Sequence, residues 1–255
     1  MAKLIFLGTA ASIPSKDRDN TSFLFLHRKE MFLIDCPGAI HQKLLKAGIN
    51  FKDIKNIVIT HQHPDHFYGI IGLIHAQGYL SKKLVIFSNQ NTISLLKELI
   101  RRVGLNRFPF PKLSFYDVFK KEFFYTSPSL KLVAVRNKHI RNSFGVKFIF
   151  DGKMLLYSSD TALSKTILKE AKEVQYLIHD CTASSSYFKE YPQLYKMHTD
   201  AKTLASILKN IPLKKIVPIH FLLLRKGELR KIKKELTPLG KKVYFPSDFD
   251  ILTLS

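Results

Sequence analysis

Three histidines and an aspartate fall within six positions, His61-Gln62-His63-Pro64-Asp65-His66, at the end of the apolar run Ile54–Thr60. A short apolar run rich in β-branched residues reads as a buried strand, and a strand end has no packing reason to collect imidazoles. A strand holds alternate residues on one side, so His61 and His63 can converge on a single ion. Asp65 and His66, past the bend at Pro64, can face a second. Imidazole and carboxylate suit zinc first, with manganese or iron(II) as alternatives.

The rest of the chain alternates short β-branched or aromatic runs with stretches of helical period. Lys3–Leu7 reads as a strand, and Phe23–Leu26 with Met31–Ile34 as a hairpin around Arg28-Lys29-Glu30. Ile40–Ala47 is a short helix, Ile70–Tyr79 a helix, Lys83–Phe87 a strand and Thr92–Val103 a helix stopped by Gly104. Arg107–Pro111 cannot be helical, because of its two prolines, and marks a mid-chain junction. Beyond it Leu130–Val135 is a strand, and Phe144–Phe150 and Lys153–Tyr157 form a hairpin across Asp151-Gly152. Ala162–Glu173, Ala201–Asn210 and Gly227–Leu236 read as helices; Val174–His179, Lys215–Ile219, Lys242–Phe245 and Ile251–Leu254 read as strands. Each half runs hairpin, helix, strand, helix. That order predicts two αβ halves packed sheet to sheet with helices outside, a four-layer αββα sandwich, with residues 1–255 forming one domain.

The charge balance is unusual: 41 Lys plus Arg against 20 Asp plus Glu gives +21. Such an excess favours polyanionic or phosphorylated partners, although basic residues spread along the chain also fit a Lys-rich proteome. Cys36 and Cys181 each end an apolar run and belong to no Cys-x-x-Cys pair, so buried free thiols and a reducing, cytoplasmic setting are expected. No apolar run approaches the ~20 residues of a spanning helix, so no membrane is expected.

His-x-His-x-Asp-His after an apolar strand resembles the signature of the metallo-β-lactamase superfamily, and later positions match as well. His139 follows the strand Leu130–Val135, Asp160 lies in Ser-Asp-Thr just past Lys153–Tyr157, and His220 ends Lys215–Ile219. The resemblance implies that His61, His63 and His139 bind one metal, that Asp65, His66 and His220 bind the other, and that Asp160 bridges them. Two ions so held would share a water ionised near neutral pH, a metal-bridged hydroxide nucleophile, and would stabilise anionic oxygens in the transition state.

Further motifs resemble ribonuclease Z, the transfer-RNA 3′-processing endonuclease. These are Phe6-Leu7-Gly8-Thr9 with Ile13-Pro14-Ser15, Asp35-Cys36, His179-Asp180-Cys181-Thr182, and His198-Thr199 before an Ala-containing helix. The resemblance implies cleavage of RNA phosphodiesters, with an Asp180–His198 pair supplying a proton to the leaving group and Asp65 serving the reacting centre. Arg141, beside His139, is the first candidate for gripping substrate phosphate. One departure is large. Ribonuclease Z commonly carries a long arm between its third histidine and bridging aspartate, whereas only 20 residues separate His139 from Asp160 here. A small-molecule phosphodiesterase, acting on cyclic nucleotides or cyclic phosphosugars, is therefore the alternative. A non-catalytic nucleic-acid binder is disfavoured by the full ligand set, and a homodimer is left open.

Overall fold

The computed structural model describes residues 1–78, 83–107 and 111–255. In chain order the strands and helices are β1 (Ala2–Gly8), β2 (Ser22–His27), β3 (Glu30–Ile34), α1 (Ile40–Lys46), β4 (Asn56–Val58), α2 (Pro64–Phe67), α3 (Gly69–Gln77), β5 (Lys83–Ser88), α4 (Gln90–Arg102), β6 (Lys112–Asp117), β7 (Tyr125–Thr126) and β8 (Leu130–Arg136). The chain continues through β9 (Phe144–Phe150), β10 (Lys153–Tyr157), α5 (Lys165–Ala171), β11 (Tyr176–Asp180), α6 (Ser185–Glu190), α7 (Ala201–Leu208), β12 (Lys215–Ile219), α8 (Glu228–Glu235) and β13 (Ile251–Leu254).

Two sheets result, ordered β13-β1-β2-β3-β4-β5-β6 and β12-β11-β10-β9-β8-β7. Each is antiparallel over its hairpin side, and parallel where helices cross over, through β3-β4-β5-β6 in one and β10-β11-β12 in the other. Their inner faces meet in an aromatic layer. Phe25 stacks on Phe148 at 4.4 Å, and Tyr157 meets Phe23 edge-on at 5.0 Å. Full burial of such a ring stabilises the fold by about 1.5–3 kcal/mol. On the outer face of the first sheet Leu24, Leu33 and Ile57 pack with Leu44, Leu73 and Leu96 of α1, α3 and α4. On that of the second, Leu156, Leu177 and Ile216 pack with Ile167, Leu204 and Ile232 of α5, α7 and α8. These four layers are the αββα sandwich.

The Asp151-Gly152 turn joins β9 to β10 with both residues at positive φ, 43° and 72°, the backbone that a two-residue hairpin of matching twist requires. Several expected boundaries contract: Ile54–Thr60 yields only Asn56–Val58, and the helix expected over Ala162–Glu173 starts at Lys165, where Ser164 caps it. The strand expected over Lys242–Phe245 does not form. Residues Thr237–Lys242 coil into a 3₁₀ turn with Gly240 at φ 62°, leaving only an isolated bridge between Val243 and Ile216. Strand β6, directly after the prolines, and helix α6 were not expected from the pattern. Tyr79 and Phe108–Phe110 of the junction lie outside the described residues.

Candidate metal centre

Strands β4, β8, β10, β11 and β12 end at one edge of the sandwich, and that is where the side chains singled out above converge. Parallel strands with helical crossovers deliver their C-terminal loops to one rim, where an αβ sheet binds its ligands. His61 follows β4, His139 follows β8, Asp160 follows β10 and His220 follows β12. Pro64 starts α2, so Asp65 and His66 sit on its first turn.

The donor atoms of the seven proposed ligands form two groups, each with all members within 4.8 Å of one another: His61, His63 and His139, then Asp65, His66, Asp160 and His220; His198 falls in two further groups, with His139 and Asp160 and with Asp180 and His220. Asp160 stands between them. Its Oδ2 is 3.1 Å from His220 Nε2 and 3.3 Å from His66 Nε2, and 3.8 and 3.9 Å from the Nε2 atoms of His139 and His61. His139 Nε2 faces His63 Nδ1 at 3.0 Å.

Whether the site suits a cation can be read from its unpaired atoms. The Nε2 atoms of His61, His66 and His220 and Oδ1 of Asp160 are buried without a hydrogen-bond partner. Buried polar atoms are nearly always paired, so four such atoms in one cluster of imidazoles and carboxylates fit a metal. The other ring nitrogens are held. His66 Nδ1 contacts Asp35 Oδ2 at 2.9 Å, His220 Nδ1 contacts Thr182 Oγ1 at 3.1 Å, His61 Nδ1 contacts Thr60 Oγ1 at 3.2 Å, and His139 Nδ1 contacts the Met197 carbonyl at 3.0 Å. Such outer contacts fix ring orientation and tautomer in metal sites.

The two groups differ electrostatically. Burial holds the imidazoles of His61 and His63 below their ordinary value and pushes His139 down to about 4. Burial acts the same way on His66 and His220, but Asp160 and Asp35 outweigh it at His66. Asp160 and Asp65 outweigh it at His220, which is raised to about 10.

Asp180, despite its short side chain, reaches His198: its Oδ2 lies 2.9 Å from His198 Nδ1. Thr182 Oγ1 donates to the other Asp180 oxygen at 2.7 Å while touching the His220 ring, so this pair is tied to the metal cluster. Arg141 is exposed, with no hydrogen bond or ion pair among the described residues. His179 is buried against the Asp180 carbonyl, His27 is fully buried near Asp151, His41 is half-buried and His75 is exposed.

Asp35 is the residue whose role the pattern concealed. Fully buried at the end of β3, it accepts from the Thr60 amide at 2.8 Å, meets Tyr157 at 3.2 Å and orients His66. A carboxylate ending an apolar strand was the available signal. Asp35, Ser159 and His220 all have left-handed backbone, at φ 58°, 53° and 68°; such strain in non-glycine residues gathers at functional sites.

Fold and donor set together define a metal-dependent hydrolase of the metallo-β-lactamase superfamily, ribonuclease Z-like in its relatives. Within that class the chain belongs to the family described as "Anti-Pycsar protein Apyc1", whose model matches residues 2–220. A ribonuclease Z of Methanocaldococcus jannaschii is 33% identical over 141 residues, spanning 54% of this chain and 44% of that protein's length. A ribonuclease Z of Methanosarcina mazei is 24% identical over 268 aligned positions, covering 86% of this chain and 87% of the relative. The crystal structure of human tRNase Z, short form, superposes with a TM-score of 0.78 at 20% identity, over 99% of both chains.

Proposed function

We propose that this chain is a two-metal phosphodiesterase whose substrate is a small cyclic phosphodiester, a cyclic nucleotide. The β9–β10 hairpin carries the choice of substrate size. Phe150 pairs directly with Lys153 across a two-residue turn, so the chain between His139 and Asp160 has no segment free to grip a transfer RNA. The alignment with the Methanosarcina relative runs to 268 positions against a chain of 255, so the relative carries residues that this chain lacks. The family match, to a description other than ribonuclease Z, supports the same order. The sequence motifs favour RNA, while the short hairpin supports the smaller substrate.

Two bound divalent ions, zinc first, would supply Lewis acidity at the phosphoryl oxygens and a water acidified to near neutral pH. His61, His63 and His139 would hold one, Asp65, His66 and His220 the other, with Asp160 between. Beyond them, the chain's own groups orient and protonate. Asp180 fixes the His198 ring, whose free nitrogen is then available to protonate an alkoxide leaving group. Arg141, exposed two residues from His139, would meet substrate phosphate. Both halves contribute ligands, which supports treating 1–255 as one domain. No helix among the described residues is long and apolar enough to cross a membrane, and the two cysteines are free and buried, which supports a reducing compartment.

The second reading, an RNA 3′ endonuclease, is favoured by the Asp180–His198 pair and by the +21 charge. The deciding experiment compares turnover of a cyclic nucleotide, a precursor transfer RNA and an aryl phosphodiester by zinc-loaded protein. Cyclic-nucleotide hydrolysis with the greater kcat/KM is expected. Efficient precursor cleavage beside an inert cyclic nucleotide would give the function to RNA.

A further inference from the structure

Several large apolar side chains stand uncovered within four residues, along the chain, of residues of the cluster. Tyr68, two residues after His66, is 66% exposed; Leu224, four after His220, is 53% exposed; Leu163, three after Asp160, and Tyr195, three before His198, are each 43% exposed. They lie on different segments, yet each adjoins a residue of the cluster. An exposed apolar side chain beside a polar centre is available to whatever that centre binds.

Tyr68 has the clearest placement. Its amide donates to the Pro64 carbonyl at 3.1 Å, continuing the α2 turn, so Tyr68 and Asp65 lie three residues apart on one helical face. Asp65 Oδ2 is 3.6 Å from His220 Nε2, which puts that face toward the metal cluster. Among the described residues the Tyr68 hydroxyl has no hydrogen bond, and its one ring neighbour is the adjacent Phe67 at 6.0 Å. The ring is therefore free to stack.

A molecule that satisfies both features carries an anion for the centre and a flat aromatic group for the rim, and a nucleotide has both. We infer that Tyr68 is the stacking platform for the nucleobase of the substrate, an inference that rests on the nucleotide reading above. A base has a π-face whatever its identity, so the platform selects for nucleotides over sugar phosphates without choosing among bases.

The test is competitive inhibition of the metal-loaded enzyme, with the aryl phosphodiester as reporter and adenosine 5′-monophosphate and ribose 5-phosphate as inhibitors. Tyr68→Ala should weaken the nucleotide about tenfold, from the loss of one stacking contact, while leaving ribose 5-phosphate within twofold and the metal content unchanged. Tyr68→Phe, which keeps the ring, should restore nucleotide inhibition. Equal weakening of both inhibitors, or of neither, would overturn the platform. So would a change in molecular mass by sedimentation on Tyr68→Ala, since a second copy of the chain would then be what covers the rim. A wild-type protein that hydrolyses no cyclic nucleotide, yet shows this inhibitor pattern, would remove the proposed activity and leave the platform standing.

Discussion

His198 Nδ1 rests 2.9 Å from a fully buried oxygen of Asp180, and the His198 ring lies 4.9 Å from that of His139 and 5.1 Å from that of His220. One nitrogen is thus held by a carboxylate at the margin of both donor groups, leaving the other to reach substrate. His198→Ala should retain both metals and lower turnover by about 10²–10⁴, the range for loss of a general acid. An activated aryl ester should suffer least, because its leaving group hardly needs a proton. Metal analysis alongside kinetics checks both halves; loss of metal, or equal damage to all substrates, would assign His198 to ligation instead.

Asp160 offers the sharpest test of the two-ion arrangement, because its Oδ2 faces imidazoles of both groups. Wild-type protein should carry close to two divalent ions per chain by elemental analysis. Asp160→Ala should lose at least one of them, and activity with it. A variant that kept both at full occupancy would show that Asp160 does not bridge.

Asp35 should tune metal affinity without touching the metal. Asp35→Asn leaves the packing volume nearly unchanged but removes the charge beside His66 Nδ1. The expected cost is about 10–100-fold in affinity for one ion, as for other outer partners of metal-bound histidine. Titration against a competing chelator measures it, and an unchanged affinity would reduce Asp35 to a packing role.

The opposite electrostatics of the two histidine groups predict different pH dependence for metal uptake. With His139 pushed down to about 4 by burial, and His61 and His63 also lowered, those imidazoles are neutral at pH 7 and bind a cation without releasing protons. His220, raised to about 10, and His66, also raised, carry protons at pH 7 that an incoming ion must displace. Affinity at the His66–His220 group should therefore climb as pH rises from 6 toward 10, while the other stays flat over that window. Calorimetry in buffers of different ionisation enthalpy would reveal the protons; two identical profiles would contradict the asymmetry.

Much of this was legible in the residues. Periodicity located Lys215–Ile219 and Phe144–Tyr157 to the residue, because a buried parallel strand and an Asp-Gly hairpin leave strong local signals. The seven proposed ligands are spread from residue 61 to residue 220, and the fold brings their donor atoms together in two groups. Edge strand β6 escaped notice because its residues are half-exposed, with little apolar contrast between its faces. Lys242–Phe245 misled in the other direction, since β-propensity there is spent on one bridge beside a 3₁₀ turn. Asp35 and Thr182 stand in motifs shared with ribonuclease Z, but what they and the Met197 carbonyl hold is not readable from spacing. Their relevance lies in contacts across 31, 38 and 58 positions.

The distribution of donors between the two sheets bears on how the protein is made. His61, His63, Asp65 and His66 emerge from the ribosome early, but His139 completes the first group and Asp160 and His220 complete the second. The first group can therefore close once residue 139 is in place, but until residue 220 has been synthesised and β12 has docked beside β11, a nascent chain can offer the second group only in part. On the proposed ligand assignment, filling of the second group would be a late event in biogenesis, open to control after translation has finished.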